Sequence, residues 1–161
     1  MTVEEYNKSV DLFADGIYRF ALKTIKDQEK AKDIVQDTYE KLWVKYRDVS
    51  YEKVKSYLFT TAYHTSIDVI RKDNKKAEYA IAPFSETSTD EQYSDLHEVL
   101  NKAVDLLPEI QKSVLLLRDY EGYSYEEIGE ITGLNESQVK VYIFRARLFL
   151  KNYLVKIENI I

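Results

Sequence analysis

The stretch SYEEIGEITGLNESQVKVYIFRARLFL (residues 124–150) decides the fold, because it has the spacing of a helix-turn-helix. An apolar residue, a small residue directly after it and a turn glycine four positions later fall at Ile128, Gly129 and Gly133. A small residue is needed where two helices cross closely, and glycine can take the left-handed conformation that ends a helix. Val139 then falls where the second helix is expected to pack against the first.

Start signals and charge agree with this interpretation. Ser124 with Glu127 has the spacing of a capping box, and Asn135 with Gln138 gives a second helix start. From residue 137 to residue 157 every charged residue is basic: Lys140, Arg145, Arg147, Lys151 and Lys156. A helix that is apolar on one side and cationic on the other suits the DNA major groove. The alternative is a surface helix whose basic face is only solvated.

The composition limits the class of protein. A chain of 161 residues holds one ordinary domain or two small ones, and with no cysteine it forms no disulfide and no thiolate metal site. No apolar run reaches the length of a membrane span, and the N-terminus lacks the pattern of a signal peptide, so we expect a cytoplasmic protein. The net charge of −5 predicts weak binding to naked DNA, which suggests that a partner helps to hold the chain there.

Helical periodicity predicts an all-α protein of two small helical domains joined by a flexible acidic linker. Three helices are expected before the linker, from a Thr2 cap to about residue 25, from about 28 to 46 after Asp27, and from a Ser50 cap to about 72. Further helices are expected from near residue 94, at about 108–120, at 124–132 and at about 136–155. We place the domains at 1–75 and 96–161, with the linker at 76–95. Neither domain is large enough to bury a sizeable core alone.

The second helix has two faces. An apolar stripe is predicted to be buried and comprises Ala31, Ile34, Val35, Tyr39, Leu42, Trp43 and Tyr46. The opposite, polar face carries Asp33, Gln36, Asp37 and Glu40. Spacing alone leaves two readings of this polar face open: a solvated surface, or a docking surface for a basic partner helix.

The third helix carries a polar and aromatic stripe beside its apolar one. The stripe comprises Tyr57, Thr61, His64, Asp68 and Arg71, and it runs into Lys72, Lys75 and Lys76. An aromatic ring beside a cationic surface can stack on an unpaired base, and partial burial at a helix end is the alternative for Tyr57. We expect no metal site at His64, because the only other histidine, His97, lies across the linker.

On these residues the chain resembles the extracytoplasmic-function group of bacterial sigma factors within the sigma-70 family. Residues 29–43 (EKAKDIVQDTYEKLW) resemble that family's core-polymerase docking helix, and residues 54–72 (VKSYLFTTAYHTSIDVIRK) its helix for the promoter −10 element. Residues 107–134 and 135–150 resemble its domain for the −35 element. The resemblance spans both halves in the family's order.

The resemblance implies roles for particular residues. At the −35 element it implies contacts from Arg118, Ser124, Tyr125, Lys140, Val141, Phe144, Arg145 and Arg147. At the −10 element it implies Tyr57, Thr61, His64, Asp68, Arg71 and Lys72, with residues 49–55 forming a loop for a flipped base. It assigns Asp33, Gln36, Asp37 and Glu40 to the surface that meets core polymerase.

The chain departs from the family's usual pattern at three positions. Tyr57 replaces a tryptophan, His64 stands where asparagine is common, and Val141 replaces a small polar residue. These departures put the sequence preferences at both elements in question and leave the overall role intact. The acidic linker fits two readings by resemblance, a mimic of RNA charge and a solvated spacer.

The expected function is therefore promoter-specific initiation by a sigma factor without catalytic activity, cofactor or small-molecule substrate. Its expected partners are bacterial core RNA polymerase, promoter DNA and an anti-sigma factor. The alternative is a stand-alone helix-turn-helix regulator whose N-terminal domain senses an effector or dimerises. No nucleotide-binding loop, zinc-protease motif or nucleophile–base pair supports an enzyme.

Overall fold

A computed structural model describes residues 1–79 and 96–160, which we call the N-terminal half and the C-terminal half. The N-terminal half contains α1 (Val3–Ile25), α2 (Gln28–Lys45), two short 3-10 turns and α3 (Val54–Tyr79). The C-terminal half contains α4 (Leu96–Asp105), α5 (Glu109–Leu115), a π-helical turn (Leu116–Tyr120), α6 (Tyr125–Thr132) and α7 (Glu136–Ile160). The described ranges contain no strand, which confirms the all-α prediction.

The helix starts in the N-terminal half follow the predicted caps in two of three cases. Thr2 accepts from the Glu5 amide and the Glu5 side chain accepts from the Thr2 amide, so the capping box is complete. Asp27 caps α2 by accepting from the Lys30 amide. The Ser50 side chain makes no capping bond; a 3-10 turn follows it, and α3 starts only at Val54. The predicted third start was therefore three residues early.

α1, α2 and α3 pack around an apolar core, and two tyrosine hydroxyls fix α1 against α2. The Tyr39 hydroxyl donates to the Ser9 carbonyl at 2.8 Å, and the Tyr6 hydroxyl donates to the Tyr39 carbonyl at 2.9 Å. The prediction that Trp43 belongs to the buried stripe was wrong: its side chain is 50% exposed and stacks on Tyr46 at 5.0 Å. The indole instead lies at the edge of the packed face, where it also meets the Tyr6 ring edge to face at 5.1 Å.

The third helix is longer than its sequence pattern predicted. It continues to Tyr79, although the linker was expected from residue 76. The Lys30 ammonium donates to both carboxylate oxygens of Asp73, at 2.9 and 2.8 Å, and so ties the last turns of α3 to α2. No glycine or proline interrupts residues 74–79, so nothing local ends the helix. The rest of the predicted linker, residues 80–95, lies outside the described residues.

The helix-turn-helix is confirmed in detail. A Cβ on Gly129 would lie 2.8 Å from the Leu134 carbonyl oxygen, so the turn passes too close for any side chain. Gly133 ends α6 with φ at 80°, in the left-handed region. Asn135 and Gln138 each accept from the other's backbone amide, at 2.8 and 3.0 Å. α7 then buries Val139, Ile143 and Ala146 against α6 and α5.

The two halves pack against each other through α3 and α6 instead of standing apart. The Phe59 and Tyr123 rings meet edge to face with centroids 5.1 Å apart, and both side chains are buried. A single apolar cluster of buried residues therefore runs through both halves. This shared core supplies the burial that neither small domain was expected to achieve alone.

Candidate polymerase and promoter interfaces

The polar face of α2 forms one wall of a groove against α3. All four residues of the predicted docking surface line this groove, which encloses about 510 Å³: Asp33, Gln36, Asp37 and Glu40. Ile34 and Val69 add apolar surface, and Lys30, Lys72, Asp73 and Lys76 add charge. Asp37 is paired within its own helix to Lys41 at 3.2 Å, whereas no ion pair is formed by Asp33 within the described residues. The groove thus offers acidic and basic groups beside apolar surface, with the acids concentrated on the α2 side.

The predicted −10 stripe lies along one side of α3, as its spacing required. Tyr57 is partly buried against the core, and Thr61 is half-buried with its carbonyl accepting from the Thr65 hydroxyl at 2.9 Å. His64 is exposed and meets the Tyr63 ring edge-on at 5.3 Å. Asp68, Arg71 and Lys72 are exposed further along. Lys72 also lines the α2–α3 groove, so the structure brings the predicted −10 and docking residues together.

α7 presents an open face for a duplex. Lys140, Val141, Phe144 and Arg145 are all exposed and follow the one-turn spacing of a single helix face. Phe144 is 67% exposed, a large apolar ring that lies mostly uncovered among the described residues. Lys140 makes a 3.3 Å ion pair with Glu136 in its own helix. These four side chains are therefore free to enter a groove without disturbing the core.

The remaining predicted −35 residues form a tight cluster around the start of α6. The Ser124 hydroxyl caps α6 by accepting from the Glu127 amide at 3.1 Å. The Arg118 guanidinium lies 4.5 Å from the Tyr125 ring and donates to the Tyr123 carbonyl at 2.8 Å. The Lys140 ammonium lies 5.6 Å from the same ring. Tyr125 is thus flanked by two cations, and Arg118 is already engaged within the fold.

Arg147 is also engaged within the fold. It donates to both carboxylate oxygens of Asp119, at 3.2 and 2.6 Å. The hydrogen bond to Asp119 raises the pKa of Arg147 above its usual value. This pair joins α7 to the π-helical turn, so it holds α7 in register with the loop that precedes α6.

Sequence reasoning missed the residues that join the two halves. Arg19 donates to both carboxylate oxygens of Glu121, and Tyr123 is buried between the halves, where burial raises its pKa well above the usual range. No local signal identifies such a contact, because its partners are about a hundred positions apart in sequence. Periodicity, caps and spacing describe single helices and contain no information on contacts between the halves.

No helix within the described ranges is long and apolar enough to cross a membrane. The same residues contain no cluster of histidine and acidic side chains that could hold a metal ion.

Known proteins resemble this chain over nearly its whole length. Residues 10–76 match the family described as Sigma-70 region 2, and residues 97–150 match Sigma-70, region 4. The chain is 33% identical to the RNA polymerase sigma factor SigV of Bacillus subtilis, covering 86% of this chain and 84% of SigV. It is 28% identical to the ECF RNA polymerase sigma factor SigM of the same organism, covering 94% of each chain.

A solved structure resembles the chain in fold as well. It is the sigma factor RpoE of Bartonella quintana in complex with the anti-sigma factor NepR, at 26% identity and a TM-score of 0.76, covering 94% of this chain and 98% of RpoE. With both sigma regions matched in the family's order, and with SigV aligned over most of its length, the chain belongs to the extracytoplasmic-function sigma factors of the sigma-70 family.

Proposed function

We propose that this sigma factor, without catalysis of its own, docks on core polymerase through α2, reads −35 DNA through α7 and holds a melted −10 strand on α3. The observation that carries this proposal is that one chain presents three open surfaces: the α2–α3 groove, the polar stripe of α3 that borders it, and the exposed face of α7. We further propose that it works in the cytoplasm and that residues 1–75 and 96–161 act as its two functional domains.

In the N-terminal half, Asp33, Gln36, Asp37 and Glu40 would meet a basic partner helix, since acids on an exposed face favour cationic partners. On α3 the polar stripe would bind the single-stranded DNA of the −10 element. Tyr57 would stack on a base, and Arg71 and Lys72 would neutralise phosphates. The position of Lys72 supports having the docking and −10 roles side by side, because Lys72 belongs to the −10 stripe and lines the groove together with the docking residues.

In the C-terminal half, Lys140, Val141, Phe144 and Arg145 would enter the major groove, where side chains distinguish base pairs by their edges. Ser124 and Tyr125 lie at the start of α6, where backbone amides attract a phosphate. Because Arg118 and Arg147 are held by Tyr123 and Asp119, we assign them the role of positioning residues that fix this surface.

We also propose an anti-sigma factor as a partner, on the resemblance to RpoE, which was solved with NepR. The comparisons do not favour the alternative of a stand-alone regulator, since both halves match sigma regions.

Run-off transcription tests the proposed function. Core polymerase is mixed with the purified chain over a library of promoter fragments, and the expected result is defined transcripts that core polymerase alone does not produce. A set of transcripts identical with and without the chain would contradict the proposal. Tight, specific DNA binding by the chain without polymerase would instead support a regulator.

Lys140 provides a test of base reading at the −35 element. We expect Lys140→Ala to weaken holoenzyme binding to the cognate −35 sequence by roughly tenfold, and to leave scrambled sequences unaffected. The measurement is a competition assay with both sequences, and Lys151→Ala, at another exposed lysine of α7, is the control. An equal loss on all sequences would reassign Lys140 to a phosphate contact, and unchanged binding would remove it from the site.

Arg147 provides a test of the positioning role. Each phosphate contact contributes about 0.9 to the slope of log affinity against log salt concentration. We expect Arg147→Gln to leave this slope unchanged, because Asp119 already neutralises the guanidinium. Promoter binding by the holoenzyme is measured over a range of salt concentrations, with Lys140→Gln for comparison. A slope reduced by a full contact would show that Arg147 leaves Asp119 to meet a phosphate.

A further inference from the structure

Three large apolar side chains follow one another along the solvent side of α7. Val141 is 44% exposed, Phe144 67% and Leu148 47%, at spacings of three and four residues. Side chains at these spacings lie on the same side of a helix. We call these three residues the outer stripe. Exposed apolar groups that form a patch, instead of standing singly, indicate a surface that a partner covers.

The outer stripe lies on the side of α7 that faces away from the core. The residues that α7 buries toward α5 and α6 include Val139, Ile143 and Ala146. At 3.6 residues per turn, the centre of the outer stripe is roughly 170° around the helix from the centre of that buried row. Packing within the C-terminal half therefore does not account for the apolar character of the outer stripe.

Positive charge borders the outer stripe. Lys140 lies on one side of it and Arg145 on the other, and both side chains are exposed. A DNA groove has the matching arrangement, because it places base edges between two phosphate backbones. In such a groove the outer stripe would face the base edges, while the flanking cations would reach phosphates or guanine edges. The surface is thus complementary in charge to a duplex.

The amide side chains at the start of α7 are held in its cap. The Asn135 side-chain oxygen accepts from the Gln138 backbone amide at 2.8 Å, and the Gln138 side-chain oxygen accepts from the Asn135 amide at 3.0 Å. Asparagine and glutamine read adenine by using their oxygen and their nitrogen together. Because both oxygens are committed to the cap, recognition of an A·T pair by this part of α7 needs another chemical group.

Thymine supplies the one apolar group of the major groove. The edges of adenine, guanine and cytosine present hydrogen-bond donors and acceptors there, whereas thymine adds a C5-methyl group. An apolar side chain against a polar edge leaves donors or acceptors without partners, which costs free energy. Contact between Val141 and a methyl group avoids this cost. Valine at position 141 therefore favours thymine, whereas the small polar residue usual in the family can form a hydrogen bond with a base edge.

We propose that Val141 reads the C5-methyl group of one thymine in the −35 element, with the Phe144 ring covering the neighbouring base pair. Three residues advance a helix by about 4.5 Å, and successive base pairs are about 3.4 Å apart, so the two side chains meet adjacent pairs. This inference rests on the proposed function and adds the identity of a base to it.

Removal of one methyl group from the DNA tests the proposal. Each thymine of the −35 element is replaced in turn by deoxyuridine, which pairs with adenine as thymine does and lacks only the methyl group. Competition with the unmodified promoter duplex for the holoenzyme is measured. We expect one position at which the replacement weakens binding roughly fourfold, because burial of a methyl group contributes about this much. With Val141→Ala the ratio between thymine and uracil at that position is expected to fall to about one.

Adding the methyl group back is the converse test. A C·G pair at the position found with deoxyuridine is expected to bind more weakly than T·A. Replacing its cytosine by 5-methylcytosine places a methyl group at the same point of the major groove. We expect this methyl group to restore binding roughly fourfold with the parent chain and to have no effect with Val141→Ala.

Val155→Ala is the matched control. Val155 is 46% exposed on the same side of α7, but it lies about four turns beyond Val141, roughly 21 Å along the helix axis. The same side chain is therefore shortened outside the proposed contact, and the ratio between thymine and uracil is expected to stay near four. Alanine is the better helix former, so both variants are expected to remain folded, which circular dichroism checks.

The proposal is overturned if no deoxyuridine position separates the parent chain from Val141→Ala. It is also overturned if Val141→Ala weakens association with core polymerase and leaves the ratio unchanged, because the outer stripe would then meet protein. If the holoenzyme still gives defined transcripts in either case, the proposed function stands without this inference. A chain that gives no transcripts and binds no promoter duplex with polymerase would contradict both.

Discussion

Reversing the charge of Asp33 and Asp37 is expected to weaken association with core polymerase by roughly 100-fold, which is about 3 kcal/mol. Both carboxylates line the α2–α3 groove, and the exchange for lysine turns two attractions to a basic partner into two repulsions. Neither side chain is buried, so the exchange leaves the core intact, and the loss of the Asp37–Lys41 ion pair costs the helix only about 0.5 kcal/mol. The measurement is co-purification and titration of labelled variant with core polymerase, with circular dichroism to confirm helicity.

The chain offers a matched control for this experiment. Asp11 and Asp15 are exposed on α1 with the same spacing of four residues, and their exchange for lysine makes the same total change of charge. If the docking face is correctly placed, the Asp11→Lys, Asp15→Lys variant keeps most of its affinity for polymerase. Equal losses in both variants would mean that only the net charge matters, and unimpaired binding by the α2 variant would show that docking occurs elsewhere.

Gly129→Ala is expected to lower the free energy of unfolding of the C-terminal half by about 2 kcal/mol. At an open helical position this exchange would stabilise the protein by up to about 1 kcal/mol, because alanine is the better helix former. Here the new Cβ would lie 2.8 Å from the Leu134 carbonyl oxygen, and a backbone atom cannot rotate away. The turn must therefore shift and move α7, so binding to −35 DNA should weaken as well.

Urea unfolding followed by circular dichroism measures this effect. Glu130→Ala is the control, because residue 130 is exposed in the next position of α6, and we expect its effect to stay within about 0.5 kcal/mol. A Gly129→Ala variant that is more stable than the parent would mean that the turn after α6 has space that the structure does not show.

The elements predicted most accurately were those encoded by local signals. The capping box at Ser124, the left-handed turn at Gly133 and the small residue at Gly129 each follow from the chemistry of neighbouring residues, and each is confirmed. The end of α3 was missed because no glycine or proline stops the helix in residues 74–79, and the Lys30–Asp73 ion pair that ties its later turns to α2 joins residues distant in sequence. Local periodicity contains no information on such contacts.

The candidate site residues also divide into features that local spacing predicts and contacts that it does not. Spacing placed Asp33, Gln36, Asp37 and Glu40 on one face, and the structure gathers them in one groove. Spacing did not show that Arg147 forms an ion pair with Asp119, because the sequence does not reveal which basic residues are already paired. The ion pair between Arg19 and Glu121 was invisible for the same reason, since contacts between the halves appear only after the chain has folded.

The half-exposed indole of Trp43 has a practical consequence. It is the sole tryptophan of the chain, and it lies one turn beyond Glu40 on α2, stacked on the Tyr46 ring. Excitation at wavelengths that tyrosine does not absorb would therefore report on a single place in the molecule. In the free protein, a change in its emission during a titration or a melt would describe the end of that helix without any attached dye.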